Sequence, residues 1–559
     1  MMKRFLNDLK LISREPVILI VILLLMAALV LFIIYPLCRV ISMSFITEGK
    51  FSLAALQEIF TSRYMHQALL NSLLMGGTAS ILGVLAGFLF AFSINRTDMP
   101  LKKFFHRIAF IPIISPPFVA ALAVIMLLGN NGLITWNLLG LKNFSIFGFT
   151  GLLFAQVITF FPVAYLMLNG VLASANPVLE EAALNLGASR GNVFRKVTVP
   201  LALPGIAAAL LILFVEILAD FGNPMILAGS QFPVLSVQSY LQITGMGNLP
   251  GGSALALVLL VPSLILYVLQ KYWLAGKQYI TVSGKPAGSR SGIVSPLMKW
   301  MLFGLCLLVS SIIIMFYAVI LWGALARVWG SDSTLTLKHF RYAFSVSLKP
   351  IQDTLVMAGA ATPVAGILGM SIAFLVVRRR FPGRRLMEFI SLLGFAVPGI
   401  VIGIGYLFAF NEVPFLLTGT LLILLLNFIF RYIPVGIQSG MALLNQIDPA
   451  IEEAAAGLGA DAFQVFCRIT LPLIANAFSS GLLYTFVRVM TAVSAAVFLV
   501  SPGWNLLTVE ILAQVESGRL GVAAALSIIL ISIILLVMLI LSRLFTRPVS
   551  PIKGSRLSV

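Results

Sequence analysis

Apolar residues run through this chain in long blocks, which short polar segments separate. A helix needs about 20 mainly apolar residues to cross the roughly 30 Å hydrocarbon core of a bilayer. By that criterion the pattern predicts twelve membrane-spanning helices. Their approximate bounds are 17–45, 66–94, 105–129, 150–172, 200–229, 251–275, 296–327, 351–377, 387–411, 415–441, 470–500 and 519–545. The first block is too long for a signal-peptide core and no cleavage site follows it, so we expect it to be retained.

The composition supports an all-α membrane protein. Of the 559 residues, 60% are hydrophobic and 10% are charged, and the mean hydropathy is +1.06. About a quarter of the residues of a soluble domain are charged, so a water-soluble enzyme is excluded. The few cysteines and histidines are scattered, and we expect neither a metal site nor a cofactor. They are Cys38, Cys306, Cys467, His66, His106 and His339.

The position of the basic residues changes what the net charge means. Lys and Arg number 37 against 19 Asp and Glu, which gives a net charge of +18. That balance would suit a nucleic-acid partner, but most of these cations lie in short loops on one side of the predicted bilayer. Such a bias marks the cytoplasmic side of a membrane protein. We therefore expect a lipid bilayer and no nucleic acid as partner, with both termini cytoplasmic.

The chain contains an internal repeat. Residues 179–188 recur at 451–460, and this offset of 272 holds from Pro162 and Pro434 to Phe214 and Phe486. Further upstream the offset is 282. We predict two six-helix halves, 1–275 and 296–559, joined by a cytoplasmic linker at 276–295. Two halves of the same orientation are expected to pair about an axis along the membrane normal.

The repeat is clearest in two loops, 176–200 and 448–472, each between the fourth and fifth spans of its half. Each starts near a proline, and acidic residues follow, which suits the first turn of a helix. Gly187 and Gly459 then permit a sharp turn into a second short helix. The pattern predicts a helix–turn–helix outside the bilayer, small enough to insert into a groove on another protein. A plain re-entry loop is the alternative, but two copies in register make it weaker.

These residues resemble the signature loop of ABC importer permeases, in which Glu-Ala-Ala is followed by a glycine and then by Ile-x-Leu-Pro. Two copies in one chain look like the fused permeases of the iron(III)-type family. The motif residues are Glu453-Ala454-Ala455, Gly459 and Ile469-Thr470-Leu471-Pro472, with Glu181-Ala182-Ala183, Gly187 and Val197-Thr198-Val199-Pro200 in the first copy. Two further segments add to the likeness: Ala219-Asp220-Phe221-Gly222-Asn223-Pro224 and Val397-Pro398-Gly399-Ile400.

The resemblance implies a type I ABC importer fold in a bacterial inner membrane. Both loops would dock on a dimer of ATPase subunits, and a periplasmic binding protein would deliver the solute. The coupling residues it implies are Glu180, Glu181, Ala182, Gly187, Glu452, Glu453, Ala454 and Gly459. Ferric iron or an iron chelate is the implied solute, with a phosphonate, a phosphorylated sugar or another anion as alternatives.

The chain has no GxxxxGK[ST] phosphate-binding loop. Any ATP must therefore be bound by a partner, and we expect the chain itself not to be an enzyme.

Four charged residues fall inside predicted spans: Glu216, Asp220, Arg431 and Arg488. A charge at mid-bilayer costs about 2.5–3.5 kcal/mol, so each requires a partner or a pathway. The offset of 272 makes Glu216 and Arg488 equivalent, and opposite charges would meet if their spans face each other. Asp220 would share a helical face with Glu216. Two interpretations remain open, namely buried ion pairs that fix helix packing and a cluster that lines a central pathway.

Two other classes of protein fit the sequence less well than an importer. A secondary carrier of twelve spans in two halves would explain the repeat, but it gives no reason for twin acidic loops at matched positions. An intramembrane enzyme would need clustered catalytic residues, and these are sparse here.

Overall fold

Helices make up most of the computed structural model, which describes residues 15–47, 49–141, 144–270, 294–465, 468–469 and 471–545. The predicted linker, 276–295, lies outside the described residues except for its last two. Elements before this gap are called the first half, and elements after it the second half.

The first half contains α1 (Pro16–Ser44), β1 (Ile46–Thr47), β2 (Lys50–Phe51), α2 (Ala54–Thr61), α3 (Arg63–Arg96), α4 (Lys102–Ile114), α5 (Phe118–Leu128), α6 (Phe149–Ser174), α7 (Val178–Asn185), α8 (Arg190–Leu218), α9 (Gly222–Leu227), α10 (Leu235–Tyr240) and α11 (Leu249–Leu269). The second half contains α12 (Pro296–Leu325), β3 (Ala326–Val328), β4 (Asp332–Leu335), α13 (Lys338–Ser345), α14 (Leu348–Arg378), α15 (Arg384–Ala396), α16 (Gly399–Ala409), α17 (Leu421–Leu444), α18 (Pro449–Gly457), α19 (Ala462–Val465), α20 (Leu471–Met490), α21 (Leu507–Glu516) and α22 (Leu520–Phe545).

A helix lies at each of the twelve predicted span positions. Among the described residues, ten helices are long and apolar enough to cross a membrane, and α15 with α16 would make an eleventh. Helix α20 lies at the position of predicted span eleven. The predicted all-α membrane fold is confirmed.

Two predicted spans are broken at prolines. The residue before a proline is biased towards an extended backbone, which ends the helix there. Ser115 is extended (φ −95°, ψ 150°) and separates α4 from α5. Val397 is extended (φ −89°, ψ 127°), and α15 and α16 are bent by 111° around it. The predicted spans 105–129 and 387–411 are therefore each formed by two helices instead of one.

Each half is built on three closely packed helices: α3, α6 and α8 in the first, and α14, α17 and α20 in the second. Two repeat-related glycines allow this approach. A Cβ atom at Gly87 would lie 2.6 Å from the backbone nitrogen of Tyr165, and one at Gly369 would lie 2.9 Å from the carbonyl oxygen of Ile433. The helix backbones themselves are in contact at these points, so a side chain has no space.

The first helix of each half packs on the other half. Helix α1 packs on α15 and α16, and α12 packs on α4 and α5. The Tyr406 hydroxyl donates to the Phe32 carbonyl oxygen at 2.9 Å, and the Tyr317 and Ser115 hydroxyls lie 2.7 Å apart. The two halves therefore share one apolar core.

Each first helix leads into a small antiparallel hairpin and a short helix: β1, β2 and α2 in the first half, and β3, β4 and α13 in the second. These elements lie at the opposite end of the bundle from the two loops. We call the two ends the far end and the loop end. Hairpins were not predicted, because strands of two to four residues have too few positions for an alternating pattern.

We predict that Gly87→Leu and Gly369→Leu destabilise the protein by about 1–3 kcal/mol or more, because overpacking forces the helices apart. Gly77→Leu and Gly359→Leu are the matched controls, since they lie in the same two helices with no atom within 4 Å of the added Cβ. Thermal unfolding in detergent measures the effect. Equal midpoints for the tight and open positions would contradict it.

Candidate functional site

Each repeat loop folds as the predicted helix–turn–helix. In the first, α7 ends at a turn where Gly187 has φ +84°, and α8 begins three residues later. In the second, α18 ends at a turn where Gly459 has φ +92°, and α19 follows. Glycine is favoured in this left-handed conformation, which other residues adopt only with strain. The turn is the same in both copies.

A buried ion pair holds the first loop against the membrane helices. The Glu180 carboxylate lies 2.7 Å from Nε of Arg96, and their side chains are 1% and 4% exposed. The Thr198 hydroxyl donates to the other carboxylate oxygen at 2.7 Å. Arg96 also donates to the carbonyl oxygen of Ala175 at 3.2 Å. One arginine therefore connects the end of α6 and the first turn of α7 to the end of α3.

The second loop is held by the same kind of pair. The Glu452 carboxylate lies 2.9 Å from Nε of Arg378, and both side chains are largely buried. Arg378 donates to the carbonyl oxygens of Leu444 and Ile447, each at 2.9 Å. Arg96 and Arg378 end α3 and α14 and are related by the upstream offset of 282. We call each arginine–glutamate pair a loop clamp.

Sequence reasoning missed both arginines. The signal was present, since the offset of 282 places an arginine at both helix ends. Nothing in the sequence, however, brings position 96 beside position 180.

The other faces of the two loops point outward. Leu186 and Leu458, related by the offset of 272, are 88% and 90% exposed. Ala182, Ala454 and Glu453 are exposed as well, and Glu181 is half-buried. The two predicted glutamates of each loop therefore differ, since the first of each pair is buried in the clamp. Two large apolar side chains are left in contact with solvent at matched tips.

Glu216 and Arg488 meet between the halves. Nη2 of Arg488 donates to Oε1 of Glu216 at 3.4 Å, and the guanidinium lies 5.9 Å from the ring centre of Tyr484. Both charged side chains keep more than a quarter of their surface exposed, at 28% and 29%. The sequence equivalence predicted this encounter, and the structure brings the two residues together.

Asp220 does not join that pair. A shared helical face with Glu216 was predicted, but α8 ends at Leu218, so the prediction is wrong. The Asp220 side chain instead accepts from the backbone N–H of Asn223, in the first turn of the new helix α9. Its other oxygen accepts from the amides of Gln156 at 3.0 Å and Asn223 at 2.9 Å. Asp220 is buried in a neutral amide network of its own.

Arg431 lies apart from both the ion pair and Asp220, at the bend between α15 and α16. Its guanidinium lies so close to Gly399 that a Cβ atom there would be 2.6 Å from Nη2. The same guanidinium lies 5.8 Å from the ring centre of Tyr432. The four predicted charges are therefore one ion pair and two separate sites.

A cavity of about 480 Å³ lies on the loop-end side of the Glu216–Arg488 pair. It is formed by α17 and α20, with one residue from α15. Tyr484 lines it, and the guanidinium of Arg488 lies over the ring of the same tyrosine, so the ion pair is next to the cavity. We call it the loop-end cavity. Among the described residues, no group of three or more His, Cys, Asp or Glu could hold a metal ion.

The family model described as "Binding-protein-dependent transport system inner membrane component" matches residues 80–275 and 365–549, so each match contains one clamped loop. The chain belongs to this family. Its function as a transport permease and its inner-membrane location follow from that membership, which also accounts for the twin loops that a secondary carrier leaves unexplained.

Two relatives cover most of the permease. This chain is 35% identical over 534 residues to the ferric transport system permease protein FbpB of Actinobacillus pleuropneumoniae. The alignment covers 91% of this chain and 75% of the relative. It is 24% identical over 513 residues to the Fe(3+)-transport system permease protein FbpB 2 of Haemophilus influenzae, covering 90% and 95%.

Among solved structures, the permease resembles a bacterial ABC transporter that imports alginate. The TM-score is 0.42 and the identity 19%, covering 49% of this chain and all of that one.

We predict that Glu180→Gln destabilises the permease strongly, because it leaves the Arg96 guanidinium buried without a counter-charge. Breaking a buried pair costs about 3–5 kcal/mol. Thermal unfolding in detergent, with the yield of monodisperse protein, measures this. The exposed Glu453→Gln is the control and should unfold as wild type does. The apolar pair Arg96→Met with Glu180→Leu should recover part of the loss, and an undiminished stability of Glu180→Gln would refute the clamp.

Proposed function

We propose that this permease moves ferric iron, as the ion or as a chelate, across the inner membrane with energy from a separate ATPase. Two relatives that cover most of its length are named for ferric transport, which supports this solute. A periplasmic binding protein would deliver the iron to the far end, in line with the family description.

The coupling proposal rests on one observation: each half contains the same arginine–glutamate clamp. Each clamp joins a loop to the last residue of a long helix, α3 or α14. A partner that binds the loops and moves them would therefore displace the ends of both helices. The loop tips offer Leu186 and Leu458 as apolar anchors for such a partner. The implied coupling residues Glu180 and Glu452 would act inside the permease, and Glu181, Ala182, Glu453 and Ala454 on its outer face.

The partner would be a dimer of ATPase subunits on the cytoplasmic side, one subunit for each loop. The chain has no phosphate-binding loop of its own, which supports a separate site of ATP hydrolysis. Arg378, Arg379, Arg384 and Arg385 all lie at the loop end, and clustered positive charge supports a cytoplasmic position for that end. Both termini would then be cytoplasmic.

We assign the halves to 1–275 and 296–559, with the linker at 276–295 between them. The family matches support this division, since one ends at residue 275 and the other begins within the second half.

The Glu216–Arg488 pair would close the pathway between the halves. Ion pairs that only fix helix packing are usually well buried, whereas these side chains remain more than a quarter exposed and adjoin the loop-end cavity. Arg431, at the helix bend, would offer positive charge to an anionic ligand of the iron. The neutral partners of Asp220 support a packing role for that residue.

We predict that Leu186→Asp with Leu458→Asp uncouples the permease. Loss of a buried interface anchor costs about 2 kcal/mol or more, so ATPase binding should fall at least tenfold. Co-purification of the ATPase and binding-protein-stimulated ATP hydrolysis in proteoliposomes measure it. Leu335→Asp is the control, because Leu335 is an exposed leucine at the far end. Normal stimulation in the double variant would refute coupling through the tips.

The wild-type proteoliposomes also test the solute. Iron uptake driven by an iron-loaded binding protein is the expected result. Uptake of a phosphonate or a phosphorylated sugar in place of iron would retain the coupling proposal and overturn the ferric one.

We predict that reversing the pair, with Glu216→Arg and Arg488→Glu together, leaves a folded protein with uptake lowered about tenfold or more. The reversed charges still pair, but the solute meets the opposite field in the pathway. Gel filtration measures folding, and iron uptake measures transport. The single variant Glu216→Arg should fold poorly. Full uptake in the double variant would assign the pair to packing alone.

A further inference from the structure

The described lining of the loop-end cavity comes from α15, α17 and α20, all in the second half. Four of its lining residues carry polar side chains: Gln438, Ser439, Ser480 and Tyr484. The offset of 272 places apolar residues at each equivalent position of the first half: Leu166, Met167, Ala208 and Ile212. The two halves share loops, clamps and proline breaks, but they differ in chemistry here.

The polar residues lie on common faces of two helices. On α20, Ser480, Tyr484 and Arg488 follow one another at intervals of four residues, which keeps them on one side. On α17, the adjacent Gln438 and Ser439 line the same cavity from the opposite wall. The stripe on α20 therefore leads from the cavity to the Glu216–Arg488 pair.

Packing alone does not account for this stripe. Serine hydroxyls inside helices commonly donate to the backbone four residues earlier, a bond for which the longer side chains of Gln438 and Tyr484 are not suited. Gln438 is exposed, and Tyr484 keeps 39% of its surface exposed, although both belong to membrane-spanning helices. Polar side chains inside a membrane usually face the bundle interior or a water-filled cavity and mark a solute path.

The chemistry of the wall is that of neutral oxygen groups: an amide, two hydroxyls and a phenol. None of the described residues that line the cavity carries a carboxylate. Hard cations prefer oxygen ligands, and sites on a transport path must bind weakly enough to release. A water molecule takes up about 30 Å³, so about 480 Å³ has room for an ion with a complete shell of six oxygen ligands. Neutral groups would hydrogen-bond to that shell without replacing it.

We propose that the second half alone supplies the solute-binding wall of the loop-end cavity. Gln438, Ser439, Ser480 and Tyr484 hydrogen-bond to the oxygen shell of a hydrated or chelated ferric ion after it passes the Glu216–Arg488 pair. The equivalent positions of the first half carry only apolar side chains and offer no such hydrogen bonds. This inference rests on the proposed ferric transport function.

The repeat supplies its own matched control. One variant gives the second half the residues of the first: Gln438→Leu, Ser439→Met, Ser480→Ala and Tyr484→Ile. The control makes the reverse exchange: Leu166→Gln, Met167→Ser, Ala208→Ser and Ile212→Tyr. Each is reconstituted in proteoliposomes with the ATPase and iron-loaded binding protein, and radioactive iron uptake is measured together with stimulated ATP hydrolysis.

The second-half variant should lose about tenfold or more of its uptake, as expected when hydrogen bonds to the solute are removed, while stimulated ATP hydrolysis persists. The first-half variant should keep uptake within about twofold of wild type. Equal losses in both variants would overturn the one-sided wall. So would normal uptake in the second-half variant, or a joint loss of uptake and ATP hydrolysis, which would place these residues in coupling.

A smaller variant, Tyr484→Phe with Ser439→Ala, removes two oxygen atoms with little change in shape and guards against misfolding. It should lower uptake about threefold at constant stimulated ATP hydrolysis. Unchanged uptake would overturn the role of these oxygens. Wild-type uptake of ferric iron is measured first, and its absence would instead refute the ferric function on which the inference rests.

Discussion

Two buried arginine–glutamate pairs connect the loops outside the membrane to the helices inside it. Neither partner can leave without exposing an uncompensated charge in a site of low dielectric. Arg378 also binds two backbone carbonyl oxygens between α17 and α18, so the whole entry to its loop is held at one point. A loop attached in this way moves with its helix. The proposed coupling depends on that attachment.

The repeat separates features that both halves need from features that only one half needs. Both halves keep the clamp, the glycine contacts at Gly87 and Gly369, and the proline breaks before α5 and α16. These features set backbone geometry, which must match if the halves are to move together. Charge and polarity can differ between the two halves. At one pair of equivalent positions, the first half has Glu216 and the second half has Arg488. Duplication of the chain thus preserved its mechanics while its chemistry diverged.

Sequence patterns predicted the helices, the repeat and the loop geometry because these depend on local composition and spacing. The encounter of Glu216 with Arg488 was also predictable, since the repeat itself relates the two positions. The clamps were not predictable from the sequence. Arg96 looks like any basic residue at a helix end, and only the fold shows that Glu180 lies beside it. The position of Asp220 was predicted wrongly for a different reason. The apolar pattern does not show where α8 ends, and Asp220 lies beyond that end, where its side chain accepts a hydrogen bond from the backbone of Asn223.

The first helix of each half packs on the other half, and this packing has a consequence for biogenesis. Helix α1 leaves the ribosome early, yet the surface on which it packs, α15 and α16, is made some 350 residues later. Helix α11 of the same half packs on α1 as well, but until α15 and α16 are made the face of α1 that they cover must lie against lipid. Folding of the amino-terminal portion is therefore completed only after synthesis of the carboxyl-terminal portion, and fusion of both portions into one polypeptide guarantees that the awaited surface arrives in the same place.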